Sequence, residues 1–361
     1  MGTWWHARRR RLEVLASEAS SRAVCAHGWA RPHPTAVADL TSDVRSLATE
    51  AGRLPGTPGH DAARRFLRGR FAGLALVPYR GLVGYEHTFQ TSAWRLTATN
   101  LVGVIPGADP TAAPIVLGAH YDSVLPAPCA DDNAAAVAVM LAVAERLVVS
   151  PLSRDVVIVS FDTEEPPFFL TPDMGSTRFV QDVLRRPVHL AVIMDLVGHP
   201  VSAPGLELDP DLIFVTGAES HPELPGTLAE MGLPVVATRN DRVGDYSDHH
   251  AFRVAGIPYL FFSCAEWEHY HQPSDRPERL DFAKMQHLVA DLDVLLRRAD
   301  RAEMGKQVDH DCTDFELDTM RRHLGEPLLA EAARMMGAQQ VRTRADLDVL
   351  VPLLRTYVSG W

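Results

Sequence analysis

Apolar residues along this chain fall into two rhythms. Short runs at 115–119, 155–161, 190–194, 212–216 and 257–263 are nearly unbroken and rich in Val, Ile, Leu and Phe, the pattern of strands buried on both faces. Two earlier stretches, 82–90 and 96–105, also read as strands, the second closed by Pro106-Gly107. Between the runs, apolar positions recur at helical spacing over 35–51, 60–74, 176–184, 224–231 and 281–299. The segment 131–149 is rich in Ala and Val on nearly all sides and predicts a buried helix. Ser247-Asp248 open a short helix ending at Gly256, whereas 235–246 reads as a polar loop. Strands alternating with helices predict an α/β fold: a three-layer α/β/α sandwich with a mostly parallel central sheet. Residues 1–35 read as an N-terminal appendage, 36–300 as the main domain, and 301–361 as a helical extension for packing or oligomerisation.

Composition narrows the picture. The hydrophobic share of 46% and charged share of 22% are ordinary for a globular chain of 361 residues. A formal charge of −11 argues against a nucleic-acid partner, which needs a basic footprint. Cys25, Cys129, Cys264 and Cys312 are scattered, so neither a disulfide framework nor a zinc finger is expected. The most apolar run, 134–144, is too short to span a membrane and leads into Glu145 and Arg146. The basic residues Arg8 to Arg11 have no apolar segment behind them, so a secretory signal is not expected and the cytoplasm is the default compartment. Glycine-rich phosphate loops and a GxSxG nucleophile elbow are absent.

The chemistry gathers where the apolar runs stop. His120 and Asp122 follow the first buried run, and two residues apart in extended chain they point the same way, so Asp122 can orient the ring. Asp131-Asp132-Asn133 open the buried helix, and Asp162, Glu164 and Glu165 follow the run VVIVSF. Asp195 ends LAVIMD, and His271 lies in EHYHQPSD after the last run. Strand C-termini of an α/β sheet converge on one edge. So many acids in a partly desolvated place are costly unless a cation neutralises them. Imidazole and carboxylate without thiolate favour zinc, with cobalt or manganese as substitutes, and five ligands with one shared carboxylate fit two ions. One carboxylate of the Glu164-Glu165 doublet is then a ligand and the other a general base acting on water.

The segments GAHYDS, ADDNAAAVAVML, VSFDTEE, MGS, IMDLVG, SDHHAF, GIPYLFF and HQPSD, in this order, resemble the M28 family of zinc aminopeptidases. The resemblance runs from about Thr41 to Ala299. It implies that Asp132 bridges two zinc ions, with His120 and Asp195 on one and Glu165 and His271 on the other. It makes Glu164 the general base and Asp122 the partner of His120. The implied reaction is hydrolysis of the N-terminal peptide bond of a peptide by a water bridging the two zinc ions.

Two departures bear on substrate. The loop PPFFLTPDMGS is long and aromatic, so Phe168 and Phe169 either line a pocket for an apolar side chain or close the core beneath the loop. Gly244 falls near the place of a tyrosine that assists in some relatives, and Tyr246 is its nearest substitute. The long loop, IMDLVGHP and Tyr270 before His271 also resemble glutaminyl cyclases, which keep a single zinc. In that reading Glu164 shuttles protons, and Asp248 and Tyr270 contact substrate. A third reading, of another class, is an M28-like binding module without metal, which the presence of all five ligand positions disfavours. His249 is expected to be structural, and His269 competes with His271 as a ligand if its loop is extended.

Overall fold

The computed structural model describes residues 40–92, 95–203 and 206–358. The appendage 1–35, with Arg8 to Arg11 and Cys25, lies outside them. The described residues contain a nine-stranded sheet: β1 (Val77–Pro78), β2 (Glu86–Gln90), β3 (Thr97–Ile105), β4 (Ile115–His120), β5 (Val156–Phe161), β6 (Leu190–Met194), β7 (Ile213–Thr216), β8 (Val235–Ala237) and β9 (Tyr259–Ser263). The order is β1-β3-β5-β4-β6-β9-β7-β8, with β2 also paired to β3. The centre, β5-β4-β6-β9, is parallel, and both flanks join it through antiparallel pairs, β3 with β5 and β7 with β9.

Helices cover both faces, as the alternation along β4 requires: Leu117 faces one core and Val116 the other. On the first face the helix Ala136–Val149 packs against Phe282–Arg301 and Leu40–Leu47. Most of Ala136–Val149 is buried, because it touches the sheet on one side and helices on the other. On the second face lie Gly175–Arg178 and His249–Val254, around Phe161, Phe179 and Phe252. The helices Thr313–His323, Glu326–Met336 and Arg344–Val358 bury Leu317, Met320, Ala333 and Leu347 in the first core, so the C-terminal extension shares that core. Among the described residues no helix is long and apolar enough to cross a membrane.

Three expectations need correction. The helix predicted from residue 131 begins at Ala136; Asp132 (φ −105°, ψ 86°) and Asn133 (φ −134°, ψ 36°) leave helical geometry. Their backbone is diverted by long-range bonds, because the Asp275 carboxylate accepts from the N–H groups of Asp131 and Asp132. The polar loop 235–246 holds the strand β8 and the helix Asn240–Val243. Three apolar residues are too few to announce a strand until β7 pairs with them. The helix expected over 176–184 is one turn, Gly175–Arg178, followed by a wider turn over Phe179–Val183.

Candidate metal and catalytic site

Every polar side chain singled out at a strand end lies at one rim of the sheet. His120 closes β4, Glu164 and Glu165 follow β5 and Asp195 follows β6. The pairing of His120 with Phe161 in the β4–β5 register sets the histidine beside the loop that carries the glutamates. Asp132 comes from the distorted segment before Ala136–Val149, and His271 from the loop after β9.

The two histidines face the two oxygens of one carboxylate. His120 Nε2 lies 3.4 Å from Asp132 Oδ1, and His271 Nε2 lies 3.1 Å from Asp132 Oδ2. Around His120 Nε2 stand Asp195 Oδ2 at 3.5 Å and Glu164 Oε2 at 3.8 Å. Beside His271 Nε2, Glu165 Oε2 lies at 3.2 Å. Yet His120 Nε2, His271 Nε2 and Asp195 Oδ1 are buried atoms without a hydrogen-bond partner. Buried polar atoms are almost always satisfied, so such a group needs a reason. Two atoms each about 2.1 Å from a tetrahedral zinc stand about 3.4 Å apart, and the nitrogens and oxygens here converge at that spacing. The donor set and its orphaned atoms fit a metal ion.

The electrostatics point the same way. Burial pushes the Glu165 carboxyl up to about 8, helped by Asp132. Glu164 is raised well above the ordinary range by burial and by the charges of Asp195, Asp248 and Glu165. Asp248, wholly buried behind them, is pushed up to about 7, first by burial. For His120 burial acts downward, but the surrounding carboxylates, Glu164 foremost, carry it well above its usual value. His271 rises to about 10: burial again opposes, and Asp132 and Glu165 prevail. Without a cation, Glu164, Glu165, Asp195 and Asp248 are held back from ionising. Against burial, His120 and His271 keep Asp132 well below the usual carboxylate range, and are themselves held back from losing their protons.

The loops that carry these groups are tied to one another. Asp122 Oδ1 lies 3.4 Å from His120 Nδ1, and its two oxygens accept from the N–H groups of Glu164 and Glu165 at 3.1 and 3.2 Å. Glu165 Oε1 accepts from Val124 N at 3.0 Å, which fixes that glutamate's orientation. Asn133 donates to the Met194 carbonyl, joining the Asp132 loop to the one bearing Asp195. The close MGS turn has its own cause: a Cβ on Gly175 would sit 2.1 Å from the Asp162 carbonyl oxygen. Cys129, Thr163, Leu196 and His271 all have positive φ, and each lies within three residues of a candidate ligand or is one. Non-glycine residues in that region mark loops over-determined by their surroundings.

Sequence reasoning passed over two residues that hold this site. Arg53 is 1% exposed and donates all five of its N–H groups to backbone carbonyls: Tyr121, Leu47, Pro128, Cys129 and Asp132. Three of those carbonyls, those of Tyr121, Cys129 and Asp132, lie in segments that carry His120 or Asp132. Nothing local in LPGTPGH or the arginine before it signals this, because its acceptors are 68 to 79 residues away for all but one. Asp275, from the His271 loop, braces the Asp132 loop in the same way, and its place in HQPSD was the available signal.

The remaining candidates divide. His269 turns to the Ser274 hydroxyl at 2.9 Å, while His271 faces the carboxylates. His249 is buried, stacked on Phe261, and held to Asn240. Phe168 is buried and Phe169 half-buried; neither lines the cavity beside the site. That cavity, about 130 Å³, begins at Asp195 and Tyr270, passes Tyr246, and is walled by Leu196, Phe214, Val236 and Phe261. Tyr270 also stacks on His271 with ring centroids 3.8 Å apart.

Fold and site together define a class, the α/β proteins built like zinc-dependent exopeptidases. The fold is similar to LapB from Legionella pneumophila (TM-score 0.59, 21% identity, 72% of this chain and 70% of that one). It is also similar to a glutaminyl cyclase from Tannerella forsythia (TM-score 0.58, 16% identity, 72% and 97%). A Zn-dependent exopeptidase from Parabacteroides distasonis matches with TM-score 0.56, 16% identity, 73% and 97%. The model of peptidase family M28 matches residues 100–292, and the chain belongs to that family. Among curated proteins, the uncharacterized protein YfbL of Escherichia coli (strain K12) is 30% identical over 213 residues. That match spans 50% of this chain and 66% of the relative, just under two thirds of its length.

Proposed function

We propose that this chain is an aminopeptidase that removes N-terminal residues from peptides and holds two zinc ions. His120, Asp132 and Asp195 would hold one ion, and Asp132, Glu165 and His271 the other. The observation that carries the reading is the division of Asp132: one carboxylate oxygen faces each histidine. Zinc bound there supplies a Lewis acid for the scissile carbonyl and lowers the pKa of water. Glu164 is the general base: its carboxylate takes the proton of the attacking water and delivers it to the leaving amine. Its carboxylate oxygen lies 3.8 Å from His120 Nε2, beside the candidate ligands, which supports its access to a water held there. Asp122 keeps the His120 ring and the Glu164-Glu165 backbone in register.

A glutaminyl cyclase reading, with one zinc, draws on Tyr270 stacked against His271 and on the buried Asp248. One experiment separates the readings. Zinc-loaded protein is incubated with aminoacyl-arylamides and with a peptide beginning in glutamine, and the products are followed by mass alongside metal analysis. Loss of a residue and two ions per chain support the aminopeptidase. Loss of ammonia with one ion supports the cyclase, and protein that binds no ion after reconstitution overturns both.

A further inference from the structure

The cavity beside Asp195 and Tyr270 is finished by residues that lie far outside the family-matched segment 100–292. Its remaining apolar wall includes Val351 and Leu354, from the C-terminal helix Arg344–Val358. Leu347, Leu350, Val351 and Leu354 recur at i, i+3, i+4 and i+7, one face of that helix. Leu347 and Leu350 are fully buried in the core. Polar bonds hold the helix in place from two sides. Arg242 grips Asp348 with two nitrogens, at 2.8 and 3.1 Å, and Arg344 pairs with the buried Glu316, which also accepts from Arg239 N. The helix is therefore docked as a fixed wall.

We infer that this C-terminal helix is part of the substrate site. Val351 and Leu354 set the depth of the cavity that receives the side chain of the peptide's first residue. The inference rests on the aminopeptidase reading for the identity of the substrate. A cavity of about 130 Å³ with mostly apolar walls, to which Glu266 adds one carboxyl, matches a leucyl or phenylalanyl side chain in size, since one of about 150 Å³ accommodates benzene. A residue in the cavity would keep its α-carbon near Asp195 and Tyr270, where the scissile bond must lie.

The test uses full-length zinc-loaded protein, the variants Val351→Phe and Leu354→Ala, and alanyl, leucyl, phenylalanyl and lysyl arylamides. Calorimetric titration with leucinamide and glycinamide is done in a zinc-loaded Glu164→Gln background, because both amides carry the bond the active protein would cleave, and near-ultraviolet circular dichroism checks folding. Val351→Phe is expected to lower kcat/KM on leucyl and phenylalanyl substrates about tenfold relative to the alanyl substrate. Leu354→Ala is expected to raise phenylalanyl over leucyl turnover several-fold. Leucinamide binding is expected to weaken in Val351→Phe in parallel. A substrate ranking identical in wild type and both folded variants overturns the inference, as does a wild-type preference for lysyl over leucyl substrates. If no arylamide is hydrolysed yet leucinamide binding follows the substitutions, the aminopeptidase reading fails and the wall assignment stands. If neither hydrolysis nor leucinamide binding occurs, both fall.

Discussion

Replacing Arg53 with lysine separates a charge from a brace. Lysine keeps the positive charge but offers three donors in place of five and lacks the planar fork. At least two of the five backbone carbonyls around Arg53 would lose their partner in a site that is 1% exposed. A hydrogen bond to a charged group contributes about 1.5–3 kcal/mol, so two lost bonds predict a destabilisation of about 3 kcal/mol or more. That is a large part of a typical domain's stability of about 5–15 kcal/mol. The same carbonyls position His120 and Asp132, so zinc affinity should fall about tenfold or more, the usual effect of disturbing the groups behind metal ligands. Urea unfolding measures the first effect and competition with a chromogenic chelator the second. If Arg53→Lys matches wild type in both, the arginine acts only through its charge and the bracing argument is wrong.

The remaining predictions concern the acids. Glu164→Gln should lower kcat by about 10²–10⁴-fold while metal stoichiometry stays unchanged, since amide and carboxylate are alike in size; steady-state kinetics with metal analysis checks it. Asp132→Asn should reduce occupancy at both positions together, whereas His271→Ala should cost one ion, as read by metal analysis after dialysis. The metal-free protein should lose stability as pH rises through neutrality. Glu165 is protonated up to about 8 when folded but only to about 4.5 when unfolded, so the folded state binds more protons between those values. The raised His271 has the same sign between 6.5 and about 10. Thermal melts of chelated protein across pH 5 to 9 test this. Zinc binding near pH 7 should release protons, which calorimetry in buffers of different ionisation enthalpy detects; zero release would contradict the raised carboxyls.

Much of this protein was legible along the chain. The buried runs around Val116, Ile158, Val192 and Leu260 announced the central strands, because a strand buried on both faces has little room for polar residues. The candidate ligands were legible too, since His120, Glu164, Glu165 and Asp195 sit directly at or after those strand ends, where parallel topology brings them to one rim. Folding decided what local pattern does not encode. That Asp132 stands in distorted backbone depends on Arg53 and Asp275, distant in sequence. The strand β8 exists only through its pairing with β7. The C-terminal helix, which on its own reads as an apolar stripe for packing, reaches the cavity beside Asp195 because docking carries Val351 and Leu354 there. Periodicity reports which face of an element is buried, a local property of side-chain spacing; the neighbour that buries it is settled by long-range packing.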